Sequence, residues 1–241
     1  MNRTRGYHIF LVVIFTLVWI WAVINPIYRF DWFMENVLIF IFVPIILLLA
    51  KYFKLSNISY TFITLFLILH VIGSHYTYAE VPFGYFLQNL LGSSRNMYDR
   101  LVHFAFGLLW FYPLREVLMR VSKTKGIWAY YFPLDIVVAF SAIFELFEWG
   151  AVMVSSPTAG MAFLGAQGDI WDAQKDMFMA LIGAIVTMIA TLLVNLKFNR
   201  KLKKELKDSL KIPKGDKPLG EVRLMEMLRN EERKFTKRFK K

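Results

Sequence analysis

The sequence predicts an all-α fold: a polytopic membrane bundle of about six transmembrane helices, with both termini cytoplasmic. Three observations carry that reading. Of 241 residues, 57% are hydrophobic and 17% aromatic, and the mean hydropathy is +0.45. The apolar residues arrive in six blocks, at 8–24, 33–50, 58–74, 101–119, 129–153 and 177–195, and Lys and Arg collect in every second connection between them. A helix needs about 20 mainly apolar residues to cross roughly 30 Å of hydrocarbon. The blocks are too long and too uniformly apolar for transmembrane strands, which alternate over about ten residues. The chain has no cysteine, so disulfides and thiolate metal sites are excluded.

The first block follows Arg3 and Arg5 and has the basic and apolar parts of a secretion signal. It ends in bulky Trp, Val and Ile before Asn25 and Pro26, without a small-x-small cleavage site, so it reads as an uncleaved helix. The second block ends at Lys51 and Lys54. The third brings His70 near its far end, followed by Ser74 and His75. The stretch "HYTYAEVPFGYFLQNLLGSSRNMYDR" is amphipathic and aromatic-rich, which reads as an interfacial or re-entrant segment. The fourth block opens with "NMYDRLVHF", where Asn96, Asp99 and His103 share one helix face and Arg100 lies about 100° from Asp99. It closes with Arg115 and Glu116, and Arg120, Lys123 and Lys125 follow.

The fifth block, "LDIVVAFSAIFELFEWG", begins with Asp135 and places Ser141, Glu145 and Glu148 within about 60° of one another. The sixth is entered through "GDIWDAQKDMFMALIGA", where helical spacing puts Asp169, Asp172 and Asp176 on one face. That face continues through Ala180, Gly183 and Thr187, small residues that allow close helix approach and turn the acids into the bundle. The connections rich in Lys and Arg are expected in the cytoplasm, and the alternate ones hold only Arg29, Arg95, Arg100 and Lys175.

Residues 1–195 form the expected transmembrane domain and 196–241 a basic cytoplasmic tail. The tail holds 17 Lys and Arg against 7 Asp and Glu, which is +10 of the formal +11. Phe198, Leu202, Leu206 and Leu210 predict an amphipathic helix that Pro213 ends, and Val222, Met225 and Leu228 predict a second. Such a tail lies along anionic headgroups, each near-surface base contributing about 1 kcal/mol. The lipid bilayer is thus the expected partner. No nucleic-acid fold motif accompanies the charge, so no nucleic acid is expected.

Four helices therefore deliver His and carboxylate groups to one depth. A charge in hydrocarbon costs about 2.5–3.5 kcal/mol on insertion scales, so these residues mark a candidate site. Asp99, Arg100, His103, Glu145, Glu148, Asp172 and Asp176 are the catalytic candidates. His70, His75, His103, Glu145, Glu148, Asp169, Asp172 and Asp176 are the candidate metal ligands. Carboxylate and imidazole donors without thiolate suit a divalent cation such as Mg²⁺, Mn²⁺ or Zn²⁺, for hydrolysis or transfer at a phosphate or ester. Arg100 suits a bidentate grip on phosphate or carboxylate. The D-x-x-x-D of Asp172 and Asp176 lacks the Gly-x-x-Ala-Arg part of CDP-alcohol phosphotransferases, and H-E-x-x-H, G-x-S-x-G and P-loop motifs are absent.

The strings "HYTYAEVPFGYFLQNLL", "RNMYDRLVHFAFGLL", "FELFEWG" and "GDIWDAQKDMFMALIGA" occur in order over residues 70–190 and resemble the YjdF-like family of bacterial inner-membrane proteins. The resemblance implies a multi-pass protein of the bacterial inner membrane and supplies no reaction. More distantly, "YDRLVHFAFGLL" followed by an acidic helix and an Asp-bearing helix is similar to VanZ-like proteins, associated with teicoplanin resistance. The leading expectation is an outward-facing His/carboxylate site acting on a lipid-linked or envelope substrate. A cation or proton pathway through the same acids, or a membrane scaffold, are the alternatives.

Overall fold

The computed structural model describes residues 3–154, 166–212 and 220–238. Its helices are α1 (Arg3–Val23), α2 (Arg29–Tyr52), α3 (Asn57–His75), α4 (Pro82–Leu91), α5 (Tyr98–Arg120), α6 (Trp128–Val154), α7 (Asp172–Phe198), α8 (Leu202–Asp208) and α9 (Glu221–Arg238). Among the described residues there is no strand. Six helices, α1, α2, α3, α5, α6 and α7, are long and apolar enough to cross a membrane. Several begin before the apolar block does. Asp31, Asp99 and Asp172 sit in the first turns of α2, α5 and α7, where a carboxylate complements the positive end of the helix dipole.

The helix α5 is the hub. It packs on α3, α6 and α7, and α7 also contacts α6, while α1 and α2 lie against α3. The closest approach is between α5 and α7. A Cβ added at Gly107 would meet the Ala180 carbonyl and lie 2.7 Å from the Ala184 amide nitrogen. One added at Gly183 would meet the Phe104 carbonyl and lie 2.7 Å from the Leu108 amide nitrogen. The glycines let the two backbones touch, and Thr187 Oγ1 donates to the Leu108 carbonyl at 2.6 Å. Phe111, Tyr130, Val137, Ala180, Ala184 and Leu202 form the core around this seam.

Connections at the two ends are built differently. At one end Ser56 caps α3, and Glu116 of α5 accepts from the Ser56 amide at 2.9 Å and from the Ser59 hydroxyl at 2.6 Å. At the other end, α4 is a ten-residue helix starting on Pro82 and ending at Gly92, whose φ of 63° is the left-handed stop that glycine favours. Phe83, Tyr85, Phe86, Leu90 and Leu91 are exposed on it, consistent with an interfacial segment too short to span.

The expected amphipathic tail helix from Phe198 is broken. Asn199 turns extended at the end of α7 and its side chain accepts from the Lys201 amide, a local bond that competes with the helix. The turn lets Leu202 bury in the bundle core. Pro213, the expected stop, lies outside the described residues. The second expected tail helix is α9.

Candidate functional site

The site lies where the starts of α5 and α7 meet the second half of α6. The chain reaches it by turns that Gln167 and Gly168 make possible, at φ values of 49° and 86°. Gln167 accepts from the Asn96 amide at 2.8 Å and its own amide donates to the Asn96 carbonyl at 3.4 Å. Asn96 in turn donates to the Val81 carbonyl and accepts from the Tyr98 amide. This clamp holds the two connections that carry Arg95 and Asp169 side by side.

Two arginines organise the acids. Arg100 Nη1 pairs with Asp176 Oδ2 and donates to the Asp172 carbonyl at 3.0 Å, while Nη2 lies 2.6 Å from Asp172 Oδ1 and 3.2 Å from Asp169 Oδ2. Arg95 pairs with Asp172 and lies 3.6 Å from Asp99. Asp169 is not on the helical stripe, because α7 starts at Asp172; a turn brings it to Arg100 instead. There it accepts from Lys175 at 2.7 Å and from the Trp171 amide at 3.1 Å. The Lys175 hydrogen bond first, and the Trp171 amide second, hold its carboxyl below the usual carboxylate range.

The histidine side of the site is less neutralised. His103 Nε2 is 3.3 Å from Glu145 Oε1 and 3.7 Å from Asp99 Oδ1, and Nδ1 is 3.3 Å from the Ser141 hydroxyl. Asp99, His103 and Asp176 each offer a ligand atom within 4.8 Å of the others, and all three are buried. Among the described residues, Asp176 Oδ1 is buried with no hydrogen-bond partner, and buried Glu145 Oε1 has the 3.3 Å ion-pair contact with His103 but no well-aligned hydrogen bond. Glu148 is buried one turn beyond Glu145. Six carboxyl groups, Asp99, Glu145, Glu148, Asp169, Asp172 and Asp176, thus share the site with three fixed cations, Arg95, Arg100 and Lys175. Arg95 therefore adds to the neutralisation expected from Arg100, yet the acids remain in excess. That donor set fits a divalent cation bound by oxygen and imidazole.

His70 and His75 are placed elsewhere. His70 Nε2 donates to the Glu35 carbonyl at 3.1 Å, which leaves Nδ1 to accept from the Tyr78 hydroxyl at 2.5 Å. Both ring nitrogens are thereby used. His75 donates from Nδ1 to the Ala22 carbonyl at 3.0 Å, and its ring lies 4.3 Å from that of Trp21.

Residues that the sequence reading did not single out join this end of the bundle. Thr77 and Tyr78 take left-handed φ values of 53° and 47°, a backbone cost of about 1–3 kcal/mol each. The turn folds the Tyr78 ring over Gly73, where a Cβ would be 2.6 Å away. Burial, and then the neighbouring carboxyls of Glu35, Asp99 and Glu148, push the Tyr78 phenol well up, so it stays a neutral donor. Glu35 of α2 is buried, its Oε2 without a hydrogen-bond partner among the described residues, and Asp31 accepts from Thr77 at 3.1 Å. Asp31 and Glu35 stand four apart at the start of the second block, the same signal that marked Asp99 and His103. Arg95, four before Asp99, gave the equivalent signal outside the apolar run.

The sequence profile of the family described as Predicted membrane protein (DUF2238) matches residues 7–197. The chain is also similar to "Inner membrane protein YjdF" of Escherichia coli (strain K12), with 41% identity over 173 residues, covering 71% of this chain and 82% of that protein. No solved structure matches.

Proposed function

We propose, for a chain that belongs to the DUF2238 family and is an integral, multi-pass inner-membrane protein, that the α5–α6–α7 cluster binds a divalent cation and acts on a lipid-linked or envelope substrate. One observation carries this reading. Asp99, His103 and Asp176 converge within 4.8 Å, beside a buried Asp176 oxygen, Oδ1, that has no hydrogen-bond partner among the described residues. A buried polar atom left unpaired costs about 1–3 kcal/mol, and a bound cation removes that cost. A divalent ion there would polarise a phosphoryl or acyl oxygen and acidify water. His103, flanked by Asp99 and Glu145, would take the proton, and Glu148 would hold the polar wall of α6. Arg95 and Arg100 would fix the aspartates and leave the metal-facing oxygens free.

The site faces the outside in this reading, with both termini cytoplasmic, because the connections near Lys51, Lys54, Arg120, Lys123 and Lys125 share an end with the basic tail. The tail would rest on anionic headgroups. A cation or proton pathway is less well supported. Below the cluster, Phe111, Val137, Ala180 and Ala184 make an apolar floor, Asp135 is exposed on the bundle surface, and Glu116 is engaged by Ser56, Ser59 and Arg120. The ion pairs of Asp169 and Asp172 are what a scaffold would also show, and the experiment separates that reading from metal binding.

Metal content of full-length, detergent-purified protein tests the reading. Wild type is expected to retain about one divalent ion per chain, and Glu145→Gln and Asp176→Asn to lose it. Equal metal content in all three, or none in wild type, refutes the metal site and leaves the scaffold. The lack of native cysteine makes single cysteines at Ser94 and Lys123 clean topology probes. Labelling in intact cells at Ser94 alone is the expected pattern.

A further inference from the structure

At the end of the bundle opposite the acidic cluster, α8 folds back over the α5–α6 connection. The Ile127 amide donates to the Ser209 hydroxyl at 3.0 Å, and Trp128 Nε1 donates to the Ser209 carbonyl at 3.0 Å. Gly126, at φ +60°, is pressed against this turn, since a Cβ there would lie 2.6 Å from the Glu205 carbonyl. Under the strap lies a cavity of about 120 Å³ bounded by Arg115, Lys125, Tyr130, Asn195, Asn199 and Glu205.

The lining is poised for an anion. The Arg115 guanidinium sits over the Tyr130 ring at 4.4 Å, and its Nε is buried with no hydrogen-bond partner among the described residues. Neither Arg115 nor Lys125 has a carboxylate within ion-pair distance among the described residues. Asn195 is fixed by its bond to the Tyr130 hydroxyl at 2.9 Å, and Asn199 stands at the turn into α8. Two cations and one acid, Glu205, leave this wall with a net positive charge. Arg115 is half-buried, and its buried Nε without a partner among the described residues is a costly arrangement that an oxyanion in the cavity would complete.

The depth is that of a headgroup. Trp128, Tyr131 and Phe132 are exposed beside the cavity, with Trp128 and Phe132 stacked at 5.3 Å, as an interfacial aromatic belt is. Arg200, Lys201, Lys203, Lys204 and Lys207 lie on the turn into α8 and on α8 itself, the segment that straps the cavity. We infer that this strapped cavity is a phosphate-binding site, centred on Arg115 and Lys125, that takes a phosphate group at the membrane surface. It is separate from the acidic cluster and does not rest on the metal reading.

Binding to the purified full-length chain in detergent tests this, with inorganic phosphate and dihexanoyl phosphatidylglycerol as the two probes. Saturable binding of at least one probe is expected, with Kd raised about tenfold or more in Arg115→Gln and unchanged in Arg229→Gln, a basic residue on α9. Binding of the lipid alone assigns a headgroup, and binding of inorganic phosphate assigns the free ion. Arg115→Lys keeps the charge and loses the planar fork, so it is expected to weaken binding even if Arg115→Gln fails to fold. No saturable binding in wild type, an unchanged Kd in Arg115→Lys, or an equal loss in Arg229→Gln overturns the proposal.

Discussion

Replacing Arg100 with glutamine removes the group on which Asp169, Asp172 and Asp176 converge. The Arg100 side chain is 6% exposed and that of Asp176 2%, so the pair is screened by protein on every side. Breaking one partner of a buried pair costs about 3–5 kcal/mol, because the other charge is left without compensation. Arg95 still holds Asp172, and Lys175 still holds Asp169, so the uncompensated group is Asp176. Asp176→Asn in the same background should therefore restore part of the loss. The expected coupling between the two positions is about 1–3 kcal/mol, within the range for contacting residues. Denaturant-dependent unfolding in mixed micelles of wild type, both single variants and the double variant measures it. Stabilities that add within about 0.5 kcal/mol would show that Arg100 and Asp176 do not depend on each other, and would refute this account of the site.

Three further outcomes follow from the geometry. Gly183→Ala puts a methyl group against the Phe104 carbonyl and 2.7 Å from the Leu108 amide nitrogen; overpacking of this kind costs about 1–3 kcal/mol, read as a lower melting temperature in detergent. Tyr78→Phe leaves His70 Nδ1 buried without its donor and should destabilise by about 1–3 kcal/mol, with the same melting assay as readout. The Asp169 carboxyl is held below its ordinary value of 3.8, so its pairing with Lys175 is complete above that pH and is lost as pH falls through the depressed folded-state value. Asp169→Asn should abolish that acid-limb dependence in a pH series of melts while leaving the profile near neutrality unchanged.

Much of this arrangement was legible in the chain. Apolar blocks of the right length fix the six long helices, and period-3.6 spacing puts Asp99 with His103 and Asp172 with Asp176. The Ala180–Gly183–Thr187 stripe announces the close α5–α7 seam, because only small side chains admit it. Other contacts have no periodic signature. Arg95 reaches Asp172 from a loop across 77 positions of sequence, and the clamp between Asn96 and Gln167 spans 71. Tyr78 returns to His70 through two left-handed residues, neither of them glycine, so local preference pointed away from the turn that forms. His70 and Glu35 are paired by the packing of α2 on α3, which no spacing within one helix encodes.

The glycine seam has a mechanical consequence. Gly107 and Gly183 each stand seven residues, or about two helical turns, below Arg100 and Asp176, so the arginine–aspartate wall rides on a backbone-to-backbone contact. Helices in such contact cannot slide past one another without collision, and α5 and α7 therefore move as one body. The wall formed by α6 packs on both helices, and His103 reaches it at Ser141 and Glu145. If a substrate is admitted to the acids by a helix movement, the rigid α5–α7 pair makes α6 the element that would swing, and a crosslink between α5 and α7 would leave that movement free.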